Sequence, residues 1–273
     1  MVYPVPGGSS AEIGGPAGYT YAAVVVRLEG LPYTRDDVLA ALREIRFSGW
    51  LAPPQDGWLV AVAASGDGTV AAGRRGVVGV AEVLATRLAG PMLATRQAGP
   101  MLATRQAGPV LAVRVLADRQ LLLALWTDGD EVGRYVSDPS REPGADEDLL
   151  PDPYGVEHAD AIAGACGRPE AAEDLSELLA EELDPDSVIE SERLARVLRL
   201  LGLPTWLVAA ATLPRDIPTG PSSGDMTRLG AGVPGPLGRL CGWAVNVVRR
   251  RRPPPPAVTD APRGSSGVDP WLL

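Results

Sequence analysis

Residues 110–137 read VLAVRVLADRQLLLALWTDGDEVGRYVS. The stretch holds three apolar runs of strand length: VLAVRVLA from Val110, QLLLALWT from Gln120 and EVGRYVS from Glu131. Asp118-Arg119 separates the first two and Asp128-Gly129-Asp130 the last two. Asp-Gly favours a tight hairpin, because glycine takes positive φ without steric cost. Three runs joined by two turns predict an antiparallel β-meander, which places the chain among sheet-containing folds.

Upstream of the meander the pattern alternates between the two periods. Val24, Val26 and Leu28 alternate with Ala23, Val25 and Arg27, so the residues from Tyr19 to Leu28 predict a strand. Thr34 followed by Asp37 is a capping-box-like start, and Val38, Leu39, Leu42 and Ile45 recur at helical spacing, predicting a helix from about Arg35 to Arg46. The run from Gly57 to Ala64, with WLVAVA inside it, predicts a buried strand between glycine-bearing turns. A second helix is expected from Val77 onward, where Val80, Val83, Leu84 and Arg87 give it two faces.

Between that helix and the meander lies a tandem repeat. Residues 84–92 read LATRLAGPM, 93–101 LATRQAGPM and 102–110 LATRQAGPV. Nine residues are too few for a helical solenoid unit, and the units lack the Gly/Asp pattern of calcium-binding β-rolls. Near-identity of the copies implies a recent duplication and an insertion at one loop.

Downstream the composition changes. Residues 142–192 hold 17 of the 34 acidic residues and a single basic one, Arg168. A Pro/Gly/Asp loop opens this segment. Helices are then expected from His158 to Cys166, from Pro169 to Leu183 and from Ser187 to Leu201, with Ser187 and Glu190 as a capping box for the last. Thr205 to Leu213 predicts a further short helix. Beyond Pro214 the chain is rich in Pro, Gly and Ser, and from about residue 249 it lacks any core-forming pattern, so a disordered C-terminal tail is expected.

The expected fold is therefore α+β: a mixed or antiparallel sheet of about five strands with helices on one face and a β-meander, followed by an acidic helical subdomain and the tail. The boundaries read as a flexible N-terminus (1–18), the sheet domain (19–140, with the repeat insertion near 91–108), the acidic helices (141–213) and a Pro/Gly/Arg-rich linker and tail (214–273).

Composition narrows the chemistry. All 25 basic residues are Arg, a codon-usage signature of a GC-rich genome rather than a mark of nucleic-acid binding. With no Lys, the chain cannot form a lysine Schiff base or supply a P-loop lysine. His158 is the sole histidine and Cys166 and Cys241 are the sole cysteines, too few soft ligands for a zinc site of finger, ribbon or three-histidine type. Nucleophilic catalysis would have to use His158 as its base, and no Gly-x-Ser-x-Gly elbow accompanies it; its neighbours Glu157 and Asp160 make it an ordinary helix-start residue. Gly66-Asp67-Gly68 and Gly73-Arg74-Arg75-Gly76 match neither the dinucleotide nor the P-loop fingerprint and read as turns. No cofactor is expected, and no run has the roughly 18 uncharged apolar residues of a membrane span. A cytoplasmic location is the expectation.

Three functions fit what remains. The favoured one is a non-enzymatic protein-interaction or regulatory module with an unknown protein partner, using the terminal Trp271, Leu272 and Leu273 as an apolar anchor beside the charges of Arg249, Arg250, Arg251 and Arg252. A second is a metal-assisted hydrolase, with Asp146, Glu147, Asp148 and Asp152 gathering a hard cation, although acids between prolines equally make a solvated loop. The third is binding of an anionic surface through the four arginines. Nucleic acid is disfavoured by the net charge of -9.

The repeats generate a direct test. Deleting residues 91–108 joins Gly90 to Pro109 and leaves a short helix-to-strand connection. Loop-closure entropy rises slowly with length, so the deletion should change stability by about 1 kcal/mol or less. An unchanged or higher urea midpoint is expected, whereas a strongly lowered midpoint would show that the units bury core surface.

Overall fold

The computed structural model describes residues 18–64, 76–89, 108–142, 145, 148–182, 189–217 and 219–230. The expected flexible N-terminus, the disordered tail and nearly all of the repeat insertion lie outside them.

Seven strands form one antiparallel sheet: β1 (Tyr21–Arg27), β2 (Gly49–Leu51), β3 (Trp58–Ala63), β4 (Val110–Leu116), β5 (Gln120–Thr127), β6 (Asp130–Val136) and β7 (Thr227–Leu229). Their order across the sheet is β6-β5-β4-β1-β3-β2-β7. The meander β4-β5-β6 is present as expected, with Leu116 opposite Gln120 and Thr127 opposite Asp130. Asp128 and Gly129 both have positive φ, the backbone that a two-residue hairpin matching the strand twist requires. The preceding turn is centred one residue earlier than Asp118-Arg119: Ala117 and Asp118 take the positive φ values, and Arg119 N–H closes the turn on Leu116 O at 3.0 Å.

The two three-residue strands, β2 and β7, add to the five expected from periodicity. They are too short to show a period, and only their pairing with each other and with β3 defines them.

Alternate residues of the central strands build two cores. On one face Val24, Val26, Ala61 and Ala112 meet α1 (Arg35–Glu44) and α2 (Gly76–Ala89) through Val38, Leu42, Val80 and Leu84. These are the sheet segment's own helices, and they share one face. The helix start at Thr34 forms as read, its N–H donating to the Asp37 carboxylate at 2.7 Å.

On the other face Val25, Val60, Val113 and Leu123 meet the acidic segment: α3 (Ala159–Ala165), α4 (Ala172–Ala180), α5 (Glu190–Leu200) and a 3-10 helix (Thr205–Thr212). Burial on both faces explains why β3 and β5 read as continuous apolar runs rather than as alternation.

Glycine is required where backbones touch. Gly108, the last glycine of the repeats, packs so closely on Leu31 and the Tyr33 hydroxyl that a Cβ would lie 2.0 Å and 2.8 Å from them. The deletion described above keeps this contact available, because Gly90 then precedes Pro109.

Gly155 has φ +86° where the chain doubles back along β6, just after Tyr154 and Val136 exchange two backbone hydrogen bonds of 2.9 Å. A Cβ at Gly155 would lie 1.7 Å from the Arg134 carbonyl oxygen. Gly155→Ala combines left-handed strain with a backbone clash, and is expected to destabilise by roughly 2–4 kcal/mol. Equilibrium urea unfolding checks this, and a loss under about 0.5 kcal/mol would show that the segment repacks freely.

Candidate functional site

Among the described residues the buried polar and charged side chains, Asp118, Gln120, Ser137, Glu190 and Arg193, collect where β4 turns into β5 and where β6 ends. The Asp118 side chain, in the first of these places, is buried. Its carboxylate accepts the Tyr19 N–H at 2.9 Å and the Ser191 hydroxyl, and its carbonyl accepts the Glu190 N–H at 3.0 Å. Tyr21 adds to the relay by donating its hydroxyl to Ser191 Oγ at 2.9 Å. Burial raises the Tyr21 phenol well above its ordinary range, so it remains a donor.

This relay fixes the first turn of α5, whose N-cap position, Ile189, has no side chain to satisfy the helix N–H groups. Glu190 is therefore the first helical residue rather than the third position of a capping box.

Glu190 and Arg193 are 2% and 4% exposed. They pair at 3.5 Å between Glu190 Oε1 and Arg193 Nη1. Arg193 Nη1 also donates to the Tyr135 hydroxyl at 2.7 Å, and Nη2 donates to the Glu181 carbonyl. Tyr135, fully buried, passes its own proton donation to the Leu179 carbonyl at 2.9 Å. Ser137 Oγ accepts the Leu121 N–H at 2.9 Å.

Two atoms of this network are buried with no partner among the described residues: Glu190 Oε2 and Arg193 Nε. Burial drives the Glu190 carboxyl above the usual carboxylate range, a push that Ser137 and Arg193 oppose and that Asp118 and Asp138 reinforce.

The pair forms part of the wall of a cavity of about 380 Å³, in the size range of small-ligand pockets. Ser137, Asp138 and Arg141 border it from the end of β6, and Asp152 borders it from the acidic loop between Pro151 and Pro153. Glu181 and Glu182 follow α4 on the opposite side, and Arg119 reaches in from the β4-β5 turn. Asp138 is occupied locally, accepting from Ser140 N–H at 3.1 Å and from Arg141 Nε at 2.7 Å. A larger groove between α4 and α5, of about 880 Å³, carries exposed matched ions, Arg168 with Glu170 at 2.6 Å and Arg196 with Glu181 at 2.8 Å. Exposed pairs of this kind are worth little.

Of the sequence-derived metal candidates, Asp152 lines the cavity, Asp148 is exposed, and Asp146 and Glu147 lie outside the described residues. Among the described residues no three His, Cys, Asp or Glu side chains approach closely enough to hold a metal ion. Arg249, Arg250, Arg251, Arg252, Trp271, Leu272 and Leu273 also lie outside the described residues, as do residues 66–68 and 73–75 of the glycine-rich turns.

His158 stands immediately before α3, packed against Gly133, where a Cβ would lie 2.9 Å from its own. Cys166 is buried at the end of α3, and burial pushes its thiol up to about 12, so it is not a thiolate nucleophile at neutral pH. Among the described residues no helix is long and apolar enough to cross a membrane.

Sequence reasoning missed the Glu190–Arg193 pair, yet a signal was present. Glu190, Arg193, Leu194, Val197, Leu198 and Leu201 fall at i, i+3, i+4, i+7, i+8 and i+11, which is the core face of a helix with two charges written into it.

Comparison of the chain with protein-family models, with curated proteins and with solved structures finds no match. The class to which the molecule belongs is therefore the one its own geometry defines, an antiparallel α+β sheet buried on both faces with a charged cavity at one end.

The raised Glu190 carboxyl predicts a pH effect of definite sign. The unfolded group titrates near 4.5 and the folded group higher, so between these values the native state binds more protons than the unfolded state. Lowering the pH through that window stabilises the native protein. Glu190→Gln cannot titrate there, so wild type should gain stability relative to the variant as pH falls from 7.5 to 5 in matched urea melts. The opposite trend would show that Arg193 stabilises the charged form by more than burial costs it.

Proposed function

We propose that the protein is a non-enzymatic interaction or regulatory module, and that the cavity beside α5 is where it recognises its partner. The observation that supports this is the buried Glu190–Arg193 pair in the cavity wall, with one oxygen and one nitrogen unmatched. A buried ion pair is a poor source of stability, since an apolar pair of the same shape usually does as well or better. Leaving atoms of it unmatched costs more. Such an arrangement is worth its cost where a ligand completes it.

Among the described residues that line the cavity the polar side-chain groups are guanidinium, carboxyl and hydroxyl, without an imidazole, amine or thiol. That inventory suits recognition by charge and hydrogen bond.

The test uses Asp152→Ser combined with Glu182→Ser. Both residues are exposed, so the fold should persist. Partners captured from native cytoplasm by the wild-type chain should bind the double variant at least about tenfold more weakly, a loss of roughly 1.4 kcal/mol, at an unchanged melting temperature. An identical set of partners held with identical affinity would remove the cavity from the interaction.

A further inference from the structure

The acidic side of the cavity has a complementary group within the same chain. Five carboxylates border the cavity, those of Asp138, Asp152, Glu181, Glu182 and Glu190, against the three guanidinium groups of Arg119, Arg141 and Arg193, with Glu181 matched by Arg196 at 2.8 Å, so that the acidic excess lies at Asp152 and Glu182. Two of those guanidinium groups are already committed, Arg141 to Asp138 at 2.7 Å and Arg193 to Glu190 and Tyr135. The unmatched Glu190 Oε2 is an acceptor, and its complement is an N–H donor.

A bare cluster of acids would invite only diffuse counter-ions. Glu190, only 2% exposed, partly unmatched and set in the wall of a cavity, asks instead for a directional donor on a weakly hydrated cation.

We propose that this cavity is the docking site of the chain's own arginine run, Arg249, Arg250, Arg251 and Arg252, with a guanidinium entering between Asp152 and Glu182 toward Glu190. The assignment rests on the cavity being the recognition site, and it makes the arginine run a built-in competitor of the partner.

Four features support this occupant. The run is the densest positive charge in the sequence. Its guanidinium groups offer planar forks of donors, which match carboxylates bidentately. The reach is sufficient: Arg249 follows the last described residue, Gly230, by 19 positions, a contour of up to roughly 65 Å, whereas the sheet that the segment must cross is about 30 Å wide at roughly 4.8 Å per strand. Tethering then supplies an effective concentration near the millimolar range, enough for a contact that would be weak between separate molecules.

The experiment compares amide NMR spectra of the full chain with those of the variant in which all four arginines are replaced by serine. The expected result is movement of the Ser137, Asp138, Asp152, Glu190 and Arg193 amides, with the same movement in wild type at 0.5 M NaCl. A synthetic peptide spanning residues 245–256, added to the variant, should reverse the shifts saturably, and Asp152→Ser with Glu182→Ser should weaken that titration at least fivefold. If the four substitutions leave these amides in place, or if the peptide binds the acid-depleted chain equally well, the docking is overturned. If free arginine amide titrates the cavity while the four substitutions move nothing, docking within the chain is again overturned, and the recognition site itself survives. Because no partner is needed, these outcomes are separate from failure of the interaction reading.

Discussion

The central strands pair with a neighbour on each edge, and helices cover both faces of the sheet. Among the described residues its buried charged side chains, Asp118, Glu190 and Arg193, lie beyond the strand ends, where turns and helix termini leave backbone groups to be matched. The Asp118 turn is where this constraint takes effect. Its side chain and carbonyl together bind Tyr19, Ser191 and Glu190, so a single hairpin turn holds the lead-in to β1 and the start of α5 in register. The position of Arg193 follows from that anchor, because α5 cannot rotate about its axis without breaking the contact. The cavity is thus set by the meander's geometry as much as by the helices that enclose it.

Energetically the Glu190–Arg193 pair is held in place by apolar packing around it. Taking two charges out of water costs several kcal/mol each, and their attraction returns this only when every lone pair and proton is matched. Here Tyr135 and the Glu181 carbonyl supply matches for Arg193, but Oε2 and Nε lack them among the described residues. The compensation comes from Leu194, Val197 and Leu198 on the same helix, which are fully or almost fully buried against the sheet. At about 1.5–3 kcal/mol for each such side chain, this face supplies enough driving force to hold an imperfect ion pair in the wall. The ion pair and the packing that holds it therefore share one helical face, with the charges at its start and the hydrocarbon further along.

Much of the architecture was legible because helix and strand leave different periods in the sequence. The meander, α1, α2 and the acidic helices all announce themselves through spacing and turn residues, as Asp128-Gly129 and the start at Thr34 illustrate. β2 and β7 did not, since three residues show no period and their pairing is a tertiary fact. The site was hidden for a different reason. Charge in the acidic segment reads as a solvated face, and Glu190 reads as the partner of Ser187, so nothing local announces that Arg193 turns inward. Only the coincidence of both charges with the Leu194, Val197 and Leu198 face exposes them, and it does so only once the helix boundary is fixed at Glu190. Asp152 was found for an unrelated chemistry: acid density drew attention to it, whereas its place in the cavity depends on how the loop returns to α3.

The use of arginine alone bears on what such a cavity can select. A lysine ammonium is a compact, strongly hydrated charge, and burying it beside Glu190 would sacrifice much of its hydration for one directional contact. A guanidinium is planar and more weakly hydrated, and it spreads its charge over five N–H donors, so it loses less on entering a partly apolar wall. The acidic segment adds a field that favours cations over a distance of roughly a Debye length, about 8 Å at physiological ionic strength. That field acts at the exposed Asp152 and Glu182, whereas the wall at Glu190 and Arg193 is buried, and there directional fit counts for more than net charge. With half its acids in one segment and all 25 of its basic residues arginine, the chain makes its buried ion pair with a guanidinium, whose fork reaches Glu190, Tyr135 and the Glu181 carbonyl from one side chain.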